Sequence, residues 1–218
     1  MTRARQALIV AGGWDGHRPY ELAELFASLL RPAGFSVDVQ RSLGVLAEGE
    51  RMAAVDLVVP IWTMGELGEA EEQGLATAVA AGSGLAGCHG GMADAFRASP
   101  LYQWMVGGQW VAHPDGVVEY EVEIAAPDDP ITAGIESFRV VSEQYYMHVD
   151  PSNEVLATTT FRTQSAPWVD GCVMPVVWKR RFGEGRVFYS SIGHSPGDFE
   201  IPEALEIQRR GLLWAARR

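Results

Sequence analysis

Gln6 to Gly13 reads QALIVAGG, a continuous apolar run that ends in two glycines. Such a run, without polar alternation, predicts a strand buried on both faces, as found where helices cover both sides of a parallel sheet. The next segment is helical. In PYELAELFASLL (Pro19 to Leu30), Leu22, Leu25, Phe26, Leu29 and Leu30 recur at three- and four-residue spacing, with Pro19 in the first turn and Pro32 and Gly34 beyond the end. A strand, a glycine turn and an amphipathic helix form the opening unit of an alternating α/β fold.

The unit then recurs. Phe35 to Val39 alternates as a strand, Val55 to Pro60 (VDLVVP) reads as a buried strand, Leu67 to Ala81 as a helix closed by Gly82, and Gly84 to Cys88 (GLAGC) as another strand end. Right-handed crossovers between them give a doubly wound parallel sheet, which binds ligands at the carboxyl ends of its strands. From Val117 the texture changes: VVEYEVEIA, SFRVVSEQYYMHV, EVLATTTF, CVMPVVWKRRF and RVFYSSI are strand-like runs separated by turns, and antiparallel pairing is expected. Pro202 to Arg217 closes the chain as a helix that docks Leu205, Leu212, Leu213 and Trp214 on the core. With no linker, repeat or low-complexity segment, residues 1–218 read as one domain with a β-rich second half.

Composition excludes several function classes. The 17 Lys and Arg against 28 Asp and Glu give a net charge of −11, which repels phosphate backbones and anionic lipid surfaces, so neither nucleic acid nor membrane is an expected partner. No apolar run reaches the roughly 20 residues of a membrane helix, and MTRARQALIVAGGWDG passes from its basic start into a glycine turn without a signal-peptide core. A cytoplasmic location follows, and Cys88 and Cys172 are expected as free thiols. The sequence leaves a homo-oligomer open.

Gly87-Cys88-His89-Gly90-Gly91 lies between a strand and an expected helix, Met92 to Arg97, the setting of a nucleophile elbow. Cys88 holds the nucleophile position there, and a helix N-terminus would favour its thiolate. The other reading is a small buried residue in a tight turn. Neither His148-Val149-Asp150 nor His194 before Ser195-Pro196 supplies a convincing partner for a thiol triad.

The five histidines are more informative. His17, His89, His113 and His194 each lie in a Gly- or Pro-rich loop, and loops after parallel strands converge on one edge. Such a cluster can bind a divalent metal or act as acid and base, although no HExxH or CxxC spacing is present. Glu143 in VVSEQYY can add a carboxylate, beside Tyr145. Of seven tryptophans, Trp14, Trp62, Trp104, Trp110 and Trp168 fall in or near loops, where aromatic faces suit the C–H faces of sugar rings.

Together these blocks resemble the ThuA-like (trehalose utilisation) family, itself similar in fold to class I glutamine amidotransferases. The resemblance rests on the early glycine turn with His17, AGSGLAGCHGG with His89, VGGQWVAHP with His113, DPITAGI (Asp129 to Ile135), SEQYY with Glu143 and Tyr145, and PVVWKRRFGEGRVFYSSIGH ending at His194. It implies a flavodoxin-like, three-layer α/β sandwich with a mainly parallel central sheet, and a role in sugar catabolism beside oxidoreductases that make 3-keto glycosides.

By that similarity His17, His89, His113, Glu143 and His194 line the pocket; a divalent metal on His17, His89, His113 and His194 is allowed and no cofactor is certain. Two residues depart from the family pattern: Ser142 stands where relatives often carry Asp before the Glu, and Cys88 where many carry an aliphatic residue.

The expected activity is acid/base or metal-assisted chemistry on a 3-keto sugar or glycoside. Catalytic candidates are His89, His194, Glu143 and Cys88, with His17, His113, Tyr145, Trp14 and Trp110 on the substrate. The competing expectations are a Cys88-dependent, amidotransferase-like hydrolase and a non-catalytic sugar-binding protein.

Overall fold

The structure is a computed structural model that describes residues 4–217. The first half runs β1 (Arg5–Gly13), α1 (Pro19–Leu30), β2 (Phe35–Gln40), α2 (Gly49–Ala54), β3 (Leu57–Thr63), α3 (Glu69–Ala80), β4 (Gly84–Cys88), α4 (His89–Ala93) and α5 (Pro100–Val106). The second half runs β5 (Gly108–Ala112), β6 (Val117–Ile124), β7 (Phe138–Glu143), β8 (Tyr146–Val149), β9 (Glu154–Thr160), β10 (Val173–Phe182), β11 (Gly185–Ser190) and α6 (Pro202–Ala215).

Nine strands form one sheet in the order β2-β1-β3-β4-β11-β10-β9-β6-β7, and β5 and β8 pair in a separate two-stranded ribbon. From β2 to β11 every pairing is parallel, and from β11 to β7 every pairing is antiparallel. The change of texture at Val117 is therefore a change of pairing mode within one continuous sheet.

β1 shows why its sequence is unbroken apolar. Ala7, Ile9 and Ala11 point into a core closed by α1 and α6, where Phe26, Leu30, Ile207 and Leu212 are fully buried. Leu8 and Val10 point to the opposite core, under α3 and α5, with Leu75, Val79, Met105 and Trp178. The result is the three-layer arrangement. Burying five such side chains on one strand stabilises the centre of the sheet by about 1.5–3 kcal/mol for each of the larger ones.

Element edges moved by a few residues from the sequence expectation: the second buried strand spans Leu57–Thr63 and the helix after it Glu69–Ala80. The helix expected over Met92 to Arg97 begins earlier, at His89, and ends at Ala93. The run SFRVVSEQYYMHV is divided between the main sheet (β7) and the ribbon (β8), with Gln144 and Tyr145 at the break. α5 was not anticipated, although Ser99 caps it by accepting from the Tyr102 amide, Pro100 opens it and Gly107, at φ +85°, ends it. None of the described helices is long and apolar enough to cross a membrane.

Candidate functional site

Three histidines and one glutamate meet where strands end. His17 closes the short turn after β1, His89 opens α4 directly after β4, Glu143 is the last residue of β7, and His194 lies in the loop after β11. One ligating atom from each, all four within 4.8 Å of one another, forms a compact group in which only His194 is more than slightly exposed. Glu143 is its hub: Oε2 lies 3.0 Å from His89 Nε2, 3.4 Å from His194 Nδ1 and 3.8 Å from His17 Nε2.

His113 lies outside this quartet. Its Nε2 is 3.7 Å from the other carboxylate oxygen, Oε1, and its side chain is 35% exposed, at the rim. Of the four histidines expected together as ligands, three meet in the compact group with Glu143, and His113 stands beside it. The reason is topological: His113 follows β5 in the ribbon, not a strand of the main sheet.

The elbow after β4 also differs from expectation by one residue. Cys88 is extended at φ −142°, whereas His89 takes φ +47°, a left-handed conformation that costs a non-glycine residue on the order of 1–3 kcal/mol. The sharp turn therefore raises the imidazole, not the thiol. Among the described residues, Arg18, Met64 and Phe96 are the other non-glycine residues with positive φ, in loops after His17, β3 and α4. Gly90 is needed beside it, because a Cβ there would sit 2.7 Å from His17 Cε1 and 3.0 Å from the Tyr145 hydroxyl.

The hydrogen bonds fix how the imidazoles face inward. His89 Nδ1 lies 2.7 Å from the carbonyl oxygen of Ser191, which can only accept, so Nδ1 carries the proton. Its Nε2 then offers a lone pair to Glu143 Oε2 at 3.0 Å. Two acceptors face one another, and a proton or a cation must lie between them. His17 is likewise held from behind, its Nδ1 2.8 Å from Thr63 Oγ1.

Electrostatics point the same way. Burial alone would push the Glu143 carboxyl up, but contacts with His17, His194 and His89 outweigh it and hold the group well below the carboxylate range. Burial lowers His89, only partly opposed by Glu143, so its ring favours the neutral form. His194 is raised by the Glu143 carboxylate against burial.

The donor set fits a divalent ion such as zinc, manganese or iron: imidazole nitrogens with one carboxylate, two imidazoles braced through their other nitrogen by a carbonyl and a hydroxyl. A buried atom supports the fit. His194 Nδ1, although near Glu143, makes no hydrogen bond among the described residues.

Aromatic residues frame the cluster. Tyr145 stacks on His89 at 4.0 Å between ring centroids, and burial keeps its phenol protonated well above the usual range. Trp14, 48% exposed, meets His17 edge-on at 4.7 Å. Trp110 lies 5.6 Å from His113, with the Arg97 guanidinium over its ring. A cleft of about 630 Å³ along β6 and β7, lined by Glu119, Glu121, Arg139 and Arg162, contains none of these histidines.

A family model described as trehalose utilisation (ThuA) matches residues 6–215. The chain belongs to the ThuA family. Its fold is shared by a ThuA-like protein from Bacteroides uniformis (18% identity, 99% of this chain and 93% of that one, TM-score 0.79). A second, from Parabacteroides merdae, gives 16% identity, 98% and 90% coverage and a TM-score of 0.75. A cold-adapted β-galactosidase from Rahnella sp. R3 contains a similar fold within 32% of its length, with 99% of this chain covered, 18% identity and a TM-score of 0.59. Among proteins of curated function none matches this chain.

In this ThuA protein the surroundings of Cys88 favour the thiol over the thiolate. It is buried, and burial, followed by the negative charge of Asp198, pushes its thiol well above the ordinary value. Burial outweighs the expected pull of the helix N-terminus, and α4 is only a short turn, His89–Ala93. In native protein at pH 7, iodoacetamide is expected to label the partly exposed Cys172 and to spare Cys88 until the chain unfolds; rapid labelling of Cys88 would restore thiol chemistry. The pair His148 and Asp150 forms no triad, since Asp150 is paired with Arg180 at 3.2 Å and His148 stands on the ribbon.

Thr63 and Asp198 were not found in the sequence reading. Asp198 had a weak local signal, as the acid at the end of HSPGD in the loop that bears His194.

Proposed function

We propose that this ThuA protein acts in carbohydrate catabolism on an oxidised sugar, a 3-keto sugar or glycoside, through proton transfer beside the ketone at a metal-binding centre of His17, His89, Glu143 and His194. The observation that carries the reading is the face-to-face approach of two acceptors, His89 Nε2 and Glu143 Oε2, at 3.0 Å within a buried ring of imidazoles. A divalent ion held there would supply the positive charge that polarises a substrate carbonyl. The family description, trehalose utilisation, supports a glycoside as the substrate class.

His113 is the base in this reading, because it stands at the rim with its ring outside the quartet. It takes the proton from the carbon next to the ketone, and the C–H electron pair moves into a new C=C bond while the carbonyl oxygen gains charge. When that charge returns, the bond to the glycosidic oxygen breaks with its electrons, and His113 gives its proton to the departing oxygen. Atoms and charge balance without a further reactant. Tyr145 remains a neutral donor, and Trp14 and Trp110 flank the ring of the sugar.

The test uses tag-free protein. Metal analysis is expected to find stoichiometric zinc, manganese or iron in the wild type and none in a His89→Ala, His194→Ala double variant. A 3-keto glycoside followed by NMR is expected to release its second sugar, while the unoxidised glycoside stays intact. His113→Ala should lower that turnover on the order of 10²- to 10⁴-fold. Saturable binding of the keto glycoside with no chemical change would overturn the reading in favour of a sugar-binding protein.

A further inference from the structure

The loop that follows β11 does more than carry His194. The Ser191 carbonyl accepts from His89 Nδ1 at 2.7 Å, and the Ser191 amide is itself fixed by the Val176 carbonyl at 2.7 Å. Beyond it, Gly193 takes φ +130°, and a Cβ there would lie 2.7 Å from Cys88 Sγ, so the loop is pressed on β4 in a conformation suited to glycine. Such a backbone needs an anchor. Asp198, 7% exposed, supplies it.

One oxygen of that carboxylate gathers three donors. Asp198 Oδ2 accepts from the Gly193 amide at 3.1 Å, from the His194 amide at 3.0 Å and from the Ser142 hydroxyl at 2.6 Å. Ser195 Oγ approaches Oδ1 at 3.4 Å, and the Asp198 amide donates to the Ser195 carbonyl at 3.1 Å, which closes the loop on itself. Ser142 is the neighbour of Glu143 on β7. The chain segments bearing His194 and Glu143 are therefore joined through a single buried carboxylate.

We propose that Asp198 is a positioning residue for the centre: it sets the separation between His194 and Glu143, while Ser191 of the same loop sets His89. The proposal rests on the reading of the histidine–glutamate group as the reacting centre. It also accounts for Ser142. With Asp198 already present as the buried acid, a hydroxyl before Glu143 completes the contact, where a second carboxylate would meet the first unpaired. Cys88 acquires a plain role as the small side chain against which Gly193 rests.

The test is made first on metal-free protein, with the histidine ring nitrogens observed by two-bond ¹H–¹⁵N NMR. In Asp198→Asn the His194 ring shifts are expected to move towards those of a free imidazole, while His17 and His89, braced by Thr63 and Ser191, keep theirs. Ser142→Ala, which removes one of the three donors and no charge, should move His194 the same way by less, and it carries the test if Asp198→Asn does not fold.

Unchanged His194 signals in both variants would overturn the proposal, as would equal disturbance of all three rings. Zinc titration then separates the two readings. Asp198→Asn is expected to bind zinc roughly 10- to 100-fold more weakly than wild type. A wild type that binds no zinc removes the metal reading and leaves the ring-shift result to decide on Asp198.

Discussion

Glu143→Gln is expected to lower turnover of a keto glycoside on the order of 10²- to 10⁴-fold while shifting the melting temperature of chelator-treated protein by less than about 4 °C. The two effects separate because an amide can replace the carboxylate in its contact with His89 but not as an anionic ligand. In the native centre its Oε2 faces the unprotonated Nε2 of His89, so the contact depends on a shared proton or an ion. An amide at this position can turn its NH₂ towards that nitrogen and replace the acceptor pair by an ordinary hydrogen bond.

Most of the stability is kept through that bond, and the anionic ligand is lost. Kinetics and thermal melts on the same samples check it. A fall of ten degrees or more would make Glu143 a structural residue, and unchanged turnover would sink the proposed centre.

Trp178→Ala is expected to be the most damaging single change to stability, about 3–5 kcal/mol, or roughly 6–20 °C in melting temperature for a chain of this size. Trp178 is fully buried on β10, lies 4.3 Å from Tyr189 between ring centroids, and donates from Nε1 to the Val106 carbonyl at 3.0 Å. β5 rests directly on it, since a Cβ on Gly108 would come within 2.9 Å of its ring. Truncation leaves a cavity under the ribbon and strands the carbonyl at the end of α5.

Because β5 leads to Trp110 and His113, activity should fall with stability. Trp178→Phe, which retains a ring and loses the N–H, is expected to cost about 1–3 kcal/mol. Thermal and urea melts of both variants measure packing and hydrogen bond separately, and equal losses would show the ring's volume to be irrelevant.

The sheet and half of the site were legible in residue order because they follow from local rules. QALIVAGG had no polar phase, which is what a strand between two cores requires, and the histidines after β1, β4 and β11 fell at the carboxyl ends of parallel strands. The same absence of phase hid the elbow register. In GLAGC all positions are buried, so nothing in the pattern marks whether Cys88 or His89 takes the turn.

Glu143 and His113 show a different limit. One ends an antiparallel edge strand and the other hangs from a separate ribbon, and only the closed sheet brings His113 to Oε1 of the Glu143 carboxylate whose Oε2 faces His89. Asp198 was invisible for a related reason, since its partners include a residue from β7 and two amides in its own loop. The cap signals of α5 were complete, but seven residues are too few for a helical period to stand out.

The four residues of the centre spread along the sequence from His17 to His194, with His89 and Glu143 between them. The complete centre cannot exist in a growing polypeptide until β11 has slotted beside β4, which places the last parallel pairing after the other antiparallel strands have been synthesised. Such long-range closure is slow to form and comes late. An ion captured there would meet a nearly finished molecule, so it would act on the rate of coming apart rather than on the rate of assembly.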